Sequence, residues 1–356
     1  MDEISTHSNS KKIGWFCSFV PEELIMAAGL EPVRLQGLAD RVKEADTYVS
    51  SNLCPYLKNL LDTGLSSKMA DTAGIVFVNS CDGMRRLYDL WTQYVEPKQF
   101  TYWLEVPKNQ NEAAVAYFTD QFSAWSDRLE KDFRVEISEE RLKEAMALMN
   151  EHRQLIAEIF EKQKEYPPRY AGSDLLRLLT AEATEPKRVM TARLKEAAGC
   201  SQDAPEQKTQ PRLLVMGNVI HRPALFEMVE KAKGSIVIFD TCNGLKHYTD
   251  LVDDVGSPLN SLARRYLLKP SCARMPGFES RLRRLKKLIK DYGIQGVIYS
   301  SLKFCDYSLF ETPQMEMFLK EQNLPILVLE NDYVWSDAER LRIRVEAFLE
   351  MIRQEF

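Results

Sequence analysis

Cysteines at strand ends are the residues in this chain best suited to chemistry. The stretch 76–88, VFVNSCDGMRRLY, has an apolar run that reads as a buried strand ending at Asn79-Ser80. Cys81 follows, and Met84, Leu87, Leu90 and Trp91 then recur at helical spacing. Cys81 is therefore predicted in a strand-to-helix turn at the carboxyl end of a strand, where open α/β sheets place ligands. The amides opening the helix favour an anionic group there, a thiolate or a cluster of net negative charge. A buried, inert thiol in a turn is the competing reading. Cys54 precedes Pro55 and a helix, Cys305 follows a second strand in VIYSSLKFCD (297–306), and Cys242 lies just past a third. If both sheets are parallel and their ligand edges face each other, Cys54, Cys81 and Cys305 come together.

Composition narrows the class. The chain has 356 residues, 45% hydrophobic and 28% charged, with a net charge of -5, which describes a globular protein of two domains with no support for nucleic-acid binding. No apolar run approaches a membrane span, and residues 1–12 lack the apolar core of a secretory signal, so a cytoplasmic location is expected. Seven cysteines, with no CxxC, argue against both a disulfide framework and a compact zinc ribbon. Soft-metal thiolate ligation remains. Four histidines without HExxH, against several strand-end cysteines, favour iron–sulfur over zinc. No GxGxxG follows a strand, and neither GxxxxGK[ST] nor GxSxG occurs. His152 is expected solvated on a charged helix, while His221 and His247 lie close enough to strand ends to be considered beside a ligand.

The elements that must position these residues alternate. The fold is predicted as α/β: two lobes, each a Rossmann- or flavodoxin-like parallel sheet flanked by helices, joined by a helical region. The boundaries are an N-terminal lobe at 12–135, connecting helices at 136–200, a polar linker at 201–210 and a C-terminal lobe at 211–356. Residues 1–11 are expected disordered. A helical, charged stretch is expected up to Thr47, a long helix over 138–164, and a helix opening at Pro313. The basic run Arg281–Lys290 interleaves Leu282, Leu285, Leu288 and Ile289 at helical spacing. It reads as a solvated helix face, with a docking surface for anions or a partner as the alternative.

Seven segments then match a known family in its own order: GWFCSFVPEELIMAAGLEPVRL (14–35), SNLCP (51–55), NSCDGMRRLYDLW (79–91), AGSDLL (171–176), DTCNGLKHY (240–248), LKFCDYSLFETP (302–313) and LENDY (329–333). The chain resembles the 2-hydroxyacyl-CoA dehydratases, specifically their D-component subunits, a superfamily shared with benzoyl-CoA reductases and double-cubane cluster proteins. The resemblance implies an oxygen-sensitive protein with a [4Fe-4S] cluster between its lobes, held at Cys54, Cys81 and Cys305. It implies a homologous second subunit, or a second copy of the chain, and an ATP-hydrolysing activator that injects one electron. The acyl-CoA substrate would lose water through a ketyl radical. Ser18, Glu22 and Glu23 are the catalytic candidates, with one of the two carboxylates expected to face the cleft and the other to cap a helix. A double-cubane [8Fe-9S] cluster, with Cys242 and Cys272 as added ligands, would point to a reductase of small molecules. The segment KPSCARMP offers one cysteine where that pattern has a CxC-like pair. Cys17 and Cys200 read as structural. A non-catalytic scaffold subunit is the reading from a different class.

Overall fold

The computed structural model describes residues 11–69, 71–96, 99–200, 210–253 and 256–355. The expected disorder of 1–11 and the linker 201–210 fall almost wholly outside them.

In chain order the elements are β1 (Lys12–Trp15), α1 (Glu22–Ala27), β2 (Glu31–Arg34), α2 (Pro55–Leu65), β3 (Thr72–Val78), α3 (Asp82–Tyr94), β4 (Phe100–Leu104), α4 (Glu112–Phe133), α5 (Glu139–Glu161), α6 (Gly172–Thr184) and α7 (Lys187–Gly199). The second run is β5 (Arg212–Gly217), α8 (Ala224–Lys231), β6 (Ser235–Asp240), α9 (Pro258–Leu268), α10 (Phe278–Tyr292), β7 (Gly296–Leu302), α11 (Asp306–Glu321), β8 (Ile326–Asn331) and α12 (Ala338–Glu355). The strands form two four-stranded sheets, ordered β2-β1-β3-β4 and β6-β5-β7-β8. Every pairing is parallel. Both sheets thus have one topology: the chain goes outward from its first strand, then crosses back to the other side. The crossing leaves a crevice at the carboxyl ends of β1 and β3, and another at those of β5 and β7.

Helices stitch the lobes together. Leu142 and Met146 of α5 lie in the first sheet's core, while Ile156, Ile159 and Phe160 of the same helix lie in the second's. Conversely α9, from the second half, buries Leu262, Tyr266 and Leu267 in the first core. A third apolar cluster joins Phe16, Tyr56 and Leu57 to Val219, Leu302 and Tyr333 from the other lobe.

Three local expectations need correction. The stretch before Thr47 forms only a single 3-10 turn, Ala45–Thr47. Its amides are drawn elsewhere: Lys43, Glu44 and Ala45 all donate to Asp62 Oδ1, at 2.8, 2.7 and 3.1 Å. The helix read as opening at Pro313 begins at Asp306, with Pro313 in its interior at the loss of one ladder hydrogen bond. His152 is fully buried, because α1 and α7 cover the face of α5 that charge patterning suggested was wet.

Candidate functional site: a six-thiol cavity between two sheets

Each lobe delivers thiols by the same local device. A strand ends, the chain turns, and the next helix starts on a cysteine. Cys81 caps α3, and its sulfur accepts from the Met84 amide at 3.4 Å. Cys305 occupies the equivalent position before α11, after Phe304 turns the chain with a φ of 59°. Cys54 precedes α2, with Pro55 at its first position. Gly217 (φ 109°) lets β5 end tight against β7; a Cβ there would stand 2.1 Å from the Ser300 carbonyl oxygen. That close approach lets the next residue, Asn218, donate to the Cys305 sulfur at 3.3 Å.

These ends meet in one cavity, with room for the centre of a water molecule over about 130 Å³. Six of the seven cysteines line it: Cys17, Cys54, Cys81, Cys242, Cys272 and Cys305. The three thiols expected together are together. Cys17, which sequence reading set aside as structural, is among them; Cys200, at the end of α7, is not. Ser18 and His247 also line the cavity, whereas His221 does not: it is buried and bonded to Tyr333 Oη at 2.9 Å. Glu22 and Glu23 are likewise absent from the lining. Both are fully buried behind the wall, each carboxylate held by a cation. The expectation that one faces the cleft and the other merely caps a helix is therefore corrected. Their side chains are drawn into an internal polar network by Lys187 and Arg153.

Sequence reading missed the charges. Arg34, Lys246, Lys269 and Arg274 line the cavity, and no aspartate or glutamate does among the described residues. Arg274 donates to the Asn79 carbonyl across the lobes at 3.3 Å. Its Nε and Nη1 are buried without a partner. Lys269 donates to the Ser18 carbonyl, and burial and its cationic neighbours hold it well below the usual lysine range. Burial pushes Cys54 up to about 12, helped by Cys305 and Cys81. Cys242 is pushed up to about 11 by burial, with Cys272 adding to the rise and Lys246 opposing it. Burial raises Cys81 and Cys305 as well. Alone, these sulfurs keep their protons. A polycationic group would displace those protons, and the cations Arg34, Lys246 and Arg274 would offset the anionic charge of the product.

The spacing matters too. Among the described residues no three of His, Cys, Asp or Glu lie close enough to grip a single metal ion. The thiols ring a space instead, which suits a polynuclear group. A second cavity adjoins, sharing Cys81, Cys242, Cys272 and Cys305 and adding Arg281, Arg284, Tyr299, Ser308 and Glu311. There Arg284 grips Asp240 at 2.9 and 3.0 Å, and Arg281 grips Glu311 at 2.6 Å. Two cations of the basic helix α10 thus turn inward, while Arg283, Lys286, Lys287 and Lys290 face solvent.

A family model described as "2-hydroxyglutaryl-CoA dehydratase, D-component" matches residues 17–352. The chain belongs to the 2-hydroxyglutaryl-CoA dehydratase D-component family. That description and the names of its relatives are those of dehydratase components. It is 27% identical over 358 residues to the putative dehydratase subunit YjiM of Escherichia coli, covering 96% of this chain and 91% of that one. It is 24% identical to the (R)-phenyllactyl-CoA dehydratase beta subunit of Clostridium sporogenes, over 97% of this chain and 92% of the relative. It is 23% identical to one of the benzoyl-CoA reductase subunits of Thauera aromatica, over 95% of this chain and 89% of the relative. Among the described residues no helix is long and apolar enough to cross a membrane.

Proposed function

We propose that the chain is the cluster-bearing subunit of an ATP-activated reductive enzyme of this family, and that its six-thiol cavity takes a double-cubane [8Fe-9S] cluster. One observation carries the reading: six thiols line a single cavity. One [4Fe-4S] cubane has four iron corners and cannot use six thiolates, whereas two linked cubanes can use three each. Cys17 supplies the sulfur that the single cysteine of KPSCARMP left short. When bound, the group supplies low-potential electrons, delivered one at a time by an ATP-hydrolysing activator. The chain's own residues do the rest. Arg34, Lys246 and Arg274 offset the negative charge of the thiolates. Phe16, Phe19, Leu57 and Met84 keep water from the sulfurs. Asn218 and the Met84 amide hydrogen-bond to two of them. The adjoining cavity is of a size for a small substrate, oriented by Arg274, Lys246 and the Tyr299 and Ser308 hydroxyls.

The second reading is a 2-hydroxyacyl-CoA dehydratase subunit that eliminates water through a ketyl radical. In it, Cys54, Cys81 and Cys305 would hold one [4Fe-4S] cluster, and a homologous subunit would complete a heterodimer. The names of the phenyllactyl-CoA and lactoyl-CoA dehydratase relatives favour it.

Iron and sulfide analysis of anaerobically purified protein decides. About eight irons per chain supports the double-cubane reading, and about four supports the dehydratase subunit. A colourless, iron-free protein overturns both in favour of a scaffold.

A further inference from the structure

Behind the cavity wall lies a file of buried polar side chains that runs from the cavity to the partly exposed Thr191. His247 lines the cavity. Its Nε2 stands 3.6 Å from Glu22 Oε1, and its Nδ1 is buried without a partner. Glu22 Oε2 lies 2.8 Å from Lys187 Nζ. Lys187 Nζ lies 2.9 Å from Glu182 Oε1, which lies 3.2 Å from His152 Nδ1. His152 Nε2 is 2.8 Å from the Thr191 hydroxyl, on a residue that reaches the surface. Glu22, Glu182 and His152 are 0% exposed, and Lys187 and His247 are 2% and 3%. Burying this many ionisable groups costs several kcal/mol for each charge unless pairing offsets it, and apolar packing would hold the helices together at less cost.

We propose that this file is a proton relay, with Glu22 as the store and His247 as the delivery group, supplying protons to the reduction carried out in the cavity. The proposal rests on the reading that the cavity holds a redox group, whichever cluster that is. Glu22 gives up its proton from Oε1; His247 accepts it on Nε2 and releases the proton of Nδ1 into the cavity, and a flip of the imidazole ring then returns the remaining N–H to the Nδ1 side for the next delivery. Lys187, which despite burial is held up to about 12 by Glu182 and Glu22, stays an ammonium throughout. It hands one proton to Glu22 as it takes another from the Glu182 side in a concerted shift, and a proton from bulk water entering at Thr191 and passing His152 replaces it. One proton leaves bulk water for each one delivered, and no electron passes along the file.

The charges around Glu22 suit a store. Lys187 from α7 is shared between two carboxylates, Glu22 and Glu182. Glu182 keeps the full benefit: despite burial, Lys187, His152 and Tyr248 lower it to about 2. Glu22 is raised to about 7, because burial, with Glu182 and Glu23 nearby, outweighs Lys187. The other groups facing it are His247, Arg153 of α5, Tyr248, and Tyr266 of α9, whose hydroxyl accepts from the Glu22 amide at 3.3 Å. Burial and the cations Lys269, Arg265, Arg34 and Arg153 hold His247 neutral, so it passes a proton on rather than keeping it.

The test compares wild type, Glu22→Gln and Thr191→Val, each purified anaerobically with its iron counted. Infrared difference spectra of protein stripped of iron are recorded across neutral pH, and proton uptake is followed after a flash of reductant in the loaded protein. The expected result is a buried carboxyl band that titrates near neutrality in wild type and Thr191→Val but is missing in Glu22→Gln. Proton uptake should slow at least tenfold in both variants at unchanged iron content. A band that survives Glu22→Gln, or uptake as fast as wild type in both variants, overturns the relay. Wild type that never takes up iron, yet shows the Glu22 band, overturns the cluster reading while leaving the store supported.

Discussion

The Asn218 side-chain amide donates to the Cys305 sulfur at 3.3 Å, while its oxygen accepts from the Leu302 amide at 2.7 Å. One residue at the end of β5 thus fixes both the end of β7 and the thiol beyond it. Hydrogen bonds to a thiolate stabilise the more negative, reduced form of a bound cluster. Asn218→Asp keeps the acceptor for Leu302 and replaces the donor with an anion. The reduction potential is expected to fall, read by redox titration, with iron content retained. An unchanged or raised potential counts against a cluster at Cys305.

Cys17→Ser, Cys54→Ser, Cys81→Ser and Cys305→Ser should each lose iron, whereas Cys200→Ser should bind as much as wild type. Cys17 is the informative variant. A three-thiol cluster on Cys54, Cys81 and Cys305 predicts no loss there, and six-thiol ligation predicts loss of at least half the iron.

Glu23 and Arg153 form a fully buried pair at 2.5 Å, and Tyr266 Oη also donates to Glu23 at 2.8 Å. Burial opposes its charge, yet Arg153 and Arg265 hold Glu23 below the usual carboxylate range. Arg153→Met strands that carboxylate and should destabilise the fold by about 3–5 kcal/mol. Adding Glu23→Gln should recover more than half of the loss in urea unfolding.

Glu22 and Glu182 give opposite pH dependences. Glu22, raised from 4.5 to about 7, binds a proton in the folded chain at pH values where the unfolded chain has released it. Its contribution therefore falls as pH rises from about 4.5 to 7, by up to about 3 kcal/mol. Glu182, lowered to about 2, contributes stability above pH 4.5 that is lost as pH falls towards 2. Denaturant melts of iron-free protein should show both slopes, and Glu22→Gln should flatten only the first.

On α10, Arg281 and Arg284 are committed to Glu311 and Asp240, leaving Arg283, Lys286, Lys287 and Lys290 outward. Lys287 pairs with Asp291 at its own helix end. If an ATP-hydrolysing activator of the proposed kind docks on this face, reversing Lys286 and Lys290 to glutamate should slow activation and reduce its salt sensitivity, with substrate affinity unchanged. Loss of substrate affinity instead would assign the stripe to the substrate, and no effect would leave it a solvated face.

The alternation of apolar runs and helical spacing was enough to read eight parallel strands, because backbone hydrogen bonding allows few local conformations for such patterns. It also placed Cys54 and Cys81 at helix starts and Cys305 just past a strand end, where the turn is written in adjacent residues; that a helix begins directly on Cys305 was not legible, because Pro313 reads as a helix opening. Three features depended on the way the lobes close. Cys17 follows β1 as Cys81 follows β3, yet only the crossing of both sheets at their switch points shows that both thiols reach one space. His152 sits in a charged stretch, and its burial follows from α7 lying across it, a contact between residues 39 positions apart. Glu22 and Glu23 look like ordinary first-turn carboxylates. Which cation each meets, Lys187 or Arg153, was decided by helices more than a hundred residues along the chain. Charge pairing across such distances leaves no local trace, because its energy depends on three-dimensional separation and burial, and neither is encoded in the neighbours of a single residue.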